Sequence, residues 1–240
     1  MDSMYKTISL LLLLLSLTSQ AKPMPQAFTL ATAELPPFAY LDERQQPKGI
    51  LIDILDKARQ QSGIQITVLV LPWARALNEV KNNHIDALMP VLWTKQRGEF
   101  LVYPQQSFYN LSDSVLIKRK DDPFRFQNLA SIGRDVLIGR TRLALIGSEF
   151  DDLVQNGQLR VYETMKLDEA LLMLAQHKVD LVASDKAIAR STIHNLAMEQ
   201  HFEYISLGFA APDSYIAFSR QFADQYNIDE IMALINQGQD

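Results

Sequence analysis

Glu79-Val80-Lys81-Asn82-Asn83-His84-Ile85-Asp86-Ala87-Leu88 has a counterpart in the second half of the chain, Met173-Leu174-Ala175-Gln176-His177-Lys178-Val179-Asp180-Leu181-Val182. In each, an amphipathic helical segment stops on polar residues, and a β-branched residue followed by an aspartate opens an apolar run short enough to be a buried strand. One supersecondary unit is therefore used twice. Two similar α/β lobes with a cleft between them are a common way to enclose a small solute.

Upstream of the first copy, residues 27–32 form a β-prone run that leads into Glu34-Leu35-Pro36-Pro37-Phe38-Ala39-Tyr40. Two prolines there forbid regular structure and fix an extended loop, a typical ligand-contacting edge at a strand's end. Ile50, Ile54, Leu55 and Ala58 mark a helix over 49–61 that stops at Gly63, and 64–71 reads as a strand. Pro72 opens the next helix, with Ala76, Leu77 and Val80 on one face and Asn83 as a left-handed terminator. A strand follows at 85–92, and Thr94 is placed to cap a short helix containing Arg97. This βαβα alternation predicts parallel strands covered by helices.

The extended segment 114–118 and the charged, proline-containing 118–123 suit a crossing between lobes, the first hinge strand. The second lobe is then expected as strand 136–139, helix 148–155, strand 159–163, helix 167–177, strand 179–184 and a helix starting at Asp185, whose carboxylate suits an N-cap. The chain returns near 204–208, alternates like a strand at 215–219, and ends in an amphipathic helix around 224–235. The first lobe is thus discontinuous, residues 22–117 with 207–240, and the second spans 118–206.

Residues 1–21 read as a secretory signal: Lys6 in a basic start, an apolar run from Leu10 to Leu17 interrupted only by Ser16, and the small-x-small site Ser19-Gln20-Ala21. That run is too short to span a bilayer. Its removal takes one acid, Asp2, and one base, Lys6, so the exported chain keeps the net charge of -5. With no cysteine, disulfides, thiolate metal sites, a cysteine nucleophile and a lipidated cysteine are all excluded. No Lys/Arg cluster marks a nucleic-acid or anionic-lipid footprint. The four histidines, His84, His177, His194 and His201, have no metal-ligand spacing, and no P-loop, G-x-S-x-G elbow or dinucleotide fingerprint occurs. Metal and cofactor are therefore not expected, and a free monomer in the periplasm is.

In this order of elements the chain resembles the bacterial extracellular solute-binding proteins of family 3. The residues that carry the resemblance are Leu35-Pro36-Pro37-Phe38, Gly49-Ile50-Leu51-Ile52-Asp53-Ile54, Pro72-Trp73-Ala74-Arg75-Ala76-Leu77, Ile85-Asp86-Ala87, Thr94-Lys95-Gln96-Arg97, Val179-Asp180-Leu181, Asp185 and Tyr215-Ile216-Ala217-Phe218-Ser219-Arg220. The resemblance implies a type II-like periplasmic-binding-protein fold, two α/β lobes on a two-strand hinge. It also implies that Trp73 stacks on the ligand, that Arg97 grips a carboxylate through its planar fork, and that Asp185 receives an ammonium group. The chain departs from the family at Pro90-Val91-Leu92-Trp93, where small hydroxyl residues are usual, and at Gly139-Arg140-Thr141-Arg142-Leu143-Ala144-Leu145-Ile146-Gly147, where Leu143 and Ile146 replace a glycine and a tyrosine. Arg140 and Arg142 are candidate replacements for the lost anion contacts.

Each candidate has a plainer reading. Trp73 can be core and Arg97 a surface residue. Arg75 can face the cleft or pair with Glu79 one turn on, Asp185 can be no more than a helix cap, and Glu34 can meet a ligand cation or stay in solvent. Phe38, Tyr40 and Trp93 can be cleft wall or core. Asp86 and Asp180 read as structural ties for turn amides. The function expected is capture of a small anionic or zwitterionic, amino-acid-like solute by lobe closure, for delivery to an ABC permease. A sensor partner is the alternative, and a dehydratase-like enzyme, with Glu34 or Asp185 as its acid or base, is a further one.

Overall fold

A computed structural model describes residues 22–110, 113–209 and 213–239. The expected export signal at 1–21 lies outside them. Among the described residues no helix is long and apolar enough to cross a membrane.

The chain runs β1 (Ala27–Thr32), β2 (Tyr40–Leu41), β3 (Pro47–Lys48), α1 (Ile50–Ser62), β4 (Gln65–Val70), α2 (Trp73–Lys81), β5 (Ala87–Val91), β6 (Leu101–Val102), β7 (Tyr109–Asn110) and β8 (Ser114–Arg119). It continues with β9 (Leu137–Thr141), α3 (Ser148–Gln155), β10 (Arg160–Thr164), α4 (Leu167–Ala175), β11 (Leu181–Asp185), α5 (Lys186–Asn195), β12 (Phe202–Ser206), β13 (Asp213–Ser219), α6 (Arg220–Gln225) and α7 (Ile228–Gln237).

Two sheets share one plan. The first has the order β4-β1-β5-β13-β6 and the second β10-β9-β11-β8-β12. In each, three parallel strands are joined by a strand that runs antiparallel to them: β13 against β5, with Phe218 opposite Ala87, and β8 against β11, with Val115 opposite Ser184. Helices cover both faces, as parallel strands with apolar side chains on both sides require. In the first lobe α1 and α7 pack Leu51, Leu55 and Met232 on one face, and α2 packs Ala76, Leu77 and Val80 on the other. In the second, α4 buries Leu171 and Leu174 on one face while α3 sets Phe150 against Ile138 and Leu181 on the other.

The repeated decapeptides have matching geometry. Asn83 sits at φ +58, its N–H donating to Val80 O while His84 N–H donates to Glu79 O. His177 at φ +57 does the same, with Leu174 and Met173 as acceptors. Such left-handed ends satisfy carbonyls that the helix leaves over. The aspartates that follow tie down the neighbouring strand rather than turn amides: Asp86 accepts from Thr29 N–H at 2.8 Å and Asp180 from Leu137 N–H at 2.7 Å.

Three expectations are corrected. Strand β8 pairs along its length with β11 and β12, so the division at 117/118 cuts a strand of the second sheet. The chain leaves the first sheet after Asn110 and rejoins it at Asp213. The single terminal helix is two, because Asn227 starts afresh by capping Glu230 N–H at the head of α7. The pairs β2–β3 and β6 and β7 against β13 were not anticipated. Gly49, at φ +121, is required where it stands: a Cβ there would lie 2.4 Å from the Phe38 carbonyl oxygen, which accepts from Leu51 N–H in the first turn of α1.

Candidate functional site

A cavity of about 800 Å3, counting the space open at its mouth, lies between the lobes. Its walls come from the carboxyl ends of all six parallel strands: Glu34 follows β1, Trp73 follows β4, Leu92 follows β5, Ala144 follows β9, Lys166 follows β10, and Asp185 ends β11. In α/β sheets this is the end where connecting loops gather around a ligand.

On the first wall, Trp73 opens α2 and Arg97 lies in a 3-10 turn after β5, Arg97–Glu99. Thr94 starts that turn by accepting from Arg97 N–H on its hydroxyl, 3.1 Å, and Arg220 fastens it by donating to the carbonyls of Gly98 and Glu99. The guanidinium lies 5.5 Å from the Trp73 ring centre, within cation–π range. Arg97 is only 7% exposed. One terminal nitrogen donates to Leu92 O at 3.1 Å, the other to Leu143 O of the second lobe at 2.9 Å, and the Trp73 indole N–H reaches the same Leu143 oxygen at 3.3 Å. Burial pushes the Arg97 pKa down, opposed by Tyr103 and Asp151, and the group stays a cation at any physiological pH. Tyr103, donating to Leu92 O, is pushed up to about 12 by burial, an effect that the charge of Arg97 opposes.

On the second wall the turn 141–147 presents Leu143 at φ +59, so that its carbonyl faces the other lobe. Behind it, Asp151 accepts from the N–H groups of Ile146 and Gly147 at 3.1 Å and pairs with Arg140 at 3.0 Å, while Ser114 donates to Ile146 O. Burial raises the Asp151 pKa, and these N–H groups, Arg140 and Arg97 oppose it. Asp185 caps α5, accepting from Ala187 and Ile188 N–H on one oxygen, and its residue lines the cavity. Lys166 crosses the gap to Glu34 at 2.7 Å. That pair raises the Lys166 pKa.

Trp73, Arg97, Asp185 and Glu34 are thus brought together at one cavity. Thr94 and Trp93, the latter 61% exposed, line a second concavity that adjoins the first across Leu92, Leu145 and Ile146. Four candidates stand elsewhere. Phe38 is core, edge-on to Tyr109. Arg75 is 64% exposed and faces Glu79. Arg140 is held by Asp151 and Glu163, and the exposed Arg142 lies beside Glu163. A lone arginine in a sequence does not reveal which carboxylate the fold will bring to it. Lys166 and Leu167 are wall residues that no motif marks, although the repeat holds the signal. Carried backwards, it sets Lys166 against Pro72 and Leu167 against Trp73.

The family model for bacterial extracellular solute-binding proteins, family 3, matches residues 29–161, more than half of the chain. No curated protein matches by sequence. Among solved structures, an ancestral arginine-binding protein bound to arginine superposes with a TM-score of 0.76 at 14% identity, over 90% of this chain and 94% of that one. A histidine kinase sensor domain with similarity to periplasmic binding proteins gives 0.73 at 16%, covering 89% of each chain. An ancestral amino acid-binding protein, a precursor of cyclohexadienyl dehydratase, gives 0.68 at 13%, over 88% of this chain and 90% of that one. At such identities the likeness is one of fold.

Proposed function

Because the chain belongs to the bacterial extracellular solute-binding proteins, family 3, we propose that it captures a small organic solute between its lobes and is then recognised, closed, by a membrane partner, most simply an ABC permease. The reading is carried by one observation: six parallel strands, three from each lobe, bring their carboxyl ends to the same cavity. A solute touching both walls binds the closed form better than the open one and so draws the lobes together. No chemical step is needed, and the ligand is released unchanged. The first wall supplies an indole and a guanidinium, and the second an acid at a helix start.

The test is a thermal-shift and calorimetric screen of the exported chain against pools of amino acids, amides, amines and small carboxylates. A ligand at 100 times its Kd adds about 2.7 kcal/mol to stability. For a chain of this length that is a rise of roughly 5–10 °C in melting temperature. Neither heat nor shift with any pool would count against capture. Sensing uses the same trap, and the likeness to a sensor domain favours keeping it as the second reading. Deletion of the gene separates the two: loss of labelled-ligand uptake supports delivery to a permease, and unchanged uptake with a lost response to the ligand supports a sensor. Mass spectrometry of recovered ligand excludes turnover if the compound returns intact.

A further inference from the structure

Each cation that an acidic ligand would seek at this cleft already has a partner within the protein. The fork of Arg97 donates to one carbonyl of its own lobe and to Leu143 O of the other, and the carboxylate acting on its charge is Asp151. Lys166 holds Glu34 across the gap. Arg140 is taken by Asp151 and Glu163, the exposed Arg142 lies beside the same Glu163, and the exposed Arg75 faces Glu79. Much of the remaining wall is apolar, with Leu35, Pro90, Leu145, Ile146, Leu167 and Ile188 facing the space. An incoming carboxylate would shed its hydration against such a wall and meet cations already turned toward acceptors within the protein.

We infer that the cleft takes a largely apolar, non-acidic solute, a small amide, alcohol or amine, and that Arg97 and Trp73 form a latch that holds the second lobe by the Leu143 carbonyl. The inference rests on solute capture as proposed above. The latch is built on both sides. The left-handed backbone at Leu143 turns its oxygen toward the first lobe, and Asp151 and Ser114 pin the end of the turn behind it. The indole stacks near the guanidinium and donates to the same oxygen, so two donors from one lobe meet a single acceptor from the other.

Matched pairs differing only in the acidic group decide the point. Isovaleramide with isovalerate, phenylacetamide with phenylacetate, and a metabolite pool split into acidic and non-acidic halves are titrated by calorimetry against the whole protein. Arg97→Gln and Trp73→Phe are titrated alongside, the second keeping the ring and removing only the N–H in case the first does not fold. The expected result is a hit among non-acidic compounds that binds at least about tenfold tighter than its matched acid. Both variants should weaken a compound and its acid by the same factor, because they act through closure, and both should enlarge the ligand-free radius of gyration in small-angle scattering. An acid that binds about tenfold tighter than its amide, and whose affinity Arg97→Gln removes selectively, overturns the inference while leaving capture standing. Silence from both halves of the pool removes solute capture itself, and the inference with it.

Discussion

Asp151 is 8% exposed, yet its carboxylate meets three partners: Arg140 on one oxygen, and the N–H groups of Ile146 and Gly147 on the other. Desolvation works against the charge and the partners work for it. Truncation would leave two amides without their acceptor and Arg140 with only Glu163. Asp151→Ala is expected to cost roughly 2–3 kcal/mol in urea unfolding, within the range for breaking buried charge-assisted contacts. It should also weaken ligand binding, since those amides position the turn that offers Leu143 O to the latch. Nothing in the sequence announces Asp151, because its importance comes from the turn that folds back over it. Trp73, Arg97 and Asp185 were legible at this scale through the family resemblance, and Glu34 through its stiff loop after β1; all four line the cavity. Arg140 and Arg142 were not, because their partner Glu163 comes from the neighbouring strand β10, paired to β9 with Glu163 opposite Arg140.

At the scale of elements, the helix-to-strand unit was the most legible feature, since period, stop signal and apolar run all agree on it. Asn83 and His177 hold equivalent left-handed places in the two copies, each with a Cβ that glycine lacks. Glycine there has no steric conflict, and His177→Gly is expected to raise stability by roughly 0.5–1 kcal/mol, read as a higher urea midpoint at unchanged slope. The same change at a mid-helix position would do the opposite. Short elements escaped the sequence: β2, β3, β6 and β7 have two residues each, too few for any period to show. The break between α6 and α7 escaped because only the Asn227 cap marks the restart. Strand β8 is buried at all six positions, Lys118 and Arg119 included, and its two cations made it read as a surface crossing. Within the fold Arg119 donates to the carbonyls of Leu174 and Val179 and pairs with Asp122, which is how a charged residue comes to lie inside the second lobe.

For the whole molecule the question is what holds two lobes of one plan together, and the contacts across the gap differ in kind. The two latch donors, Arg97 and Trp73, are buried, while Lys166 and Glu34 are 52% and 37% exposed in their side chains. An exposed pair of this kind contributes at most about 1 kcal/mol, so its loss should lower ligand affinity by no more than about fivefold. Its pH dependence has a definite sign. The Lys166 pKa is raised above the ordinary lysine value, chiefly through the hydrogen bond to Glu34 across the gap, with Asp168 and Glu169 adding to it. The contribution is then fully present below the ordinary lysine range and is lost as pH rises through the value in the closed form. Affinity measured by calorimetry should therefore hold steady from neutral pH up to the lysine range and decline above it. In Lys166→Met it should start lower and stay flat across the same window, and 0.5 M salt should bring the parent protein toward the variant. A decline of equal size in Lys166→Met would assign the effect to another group.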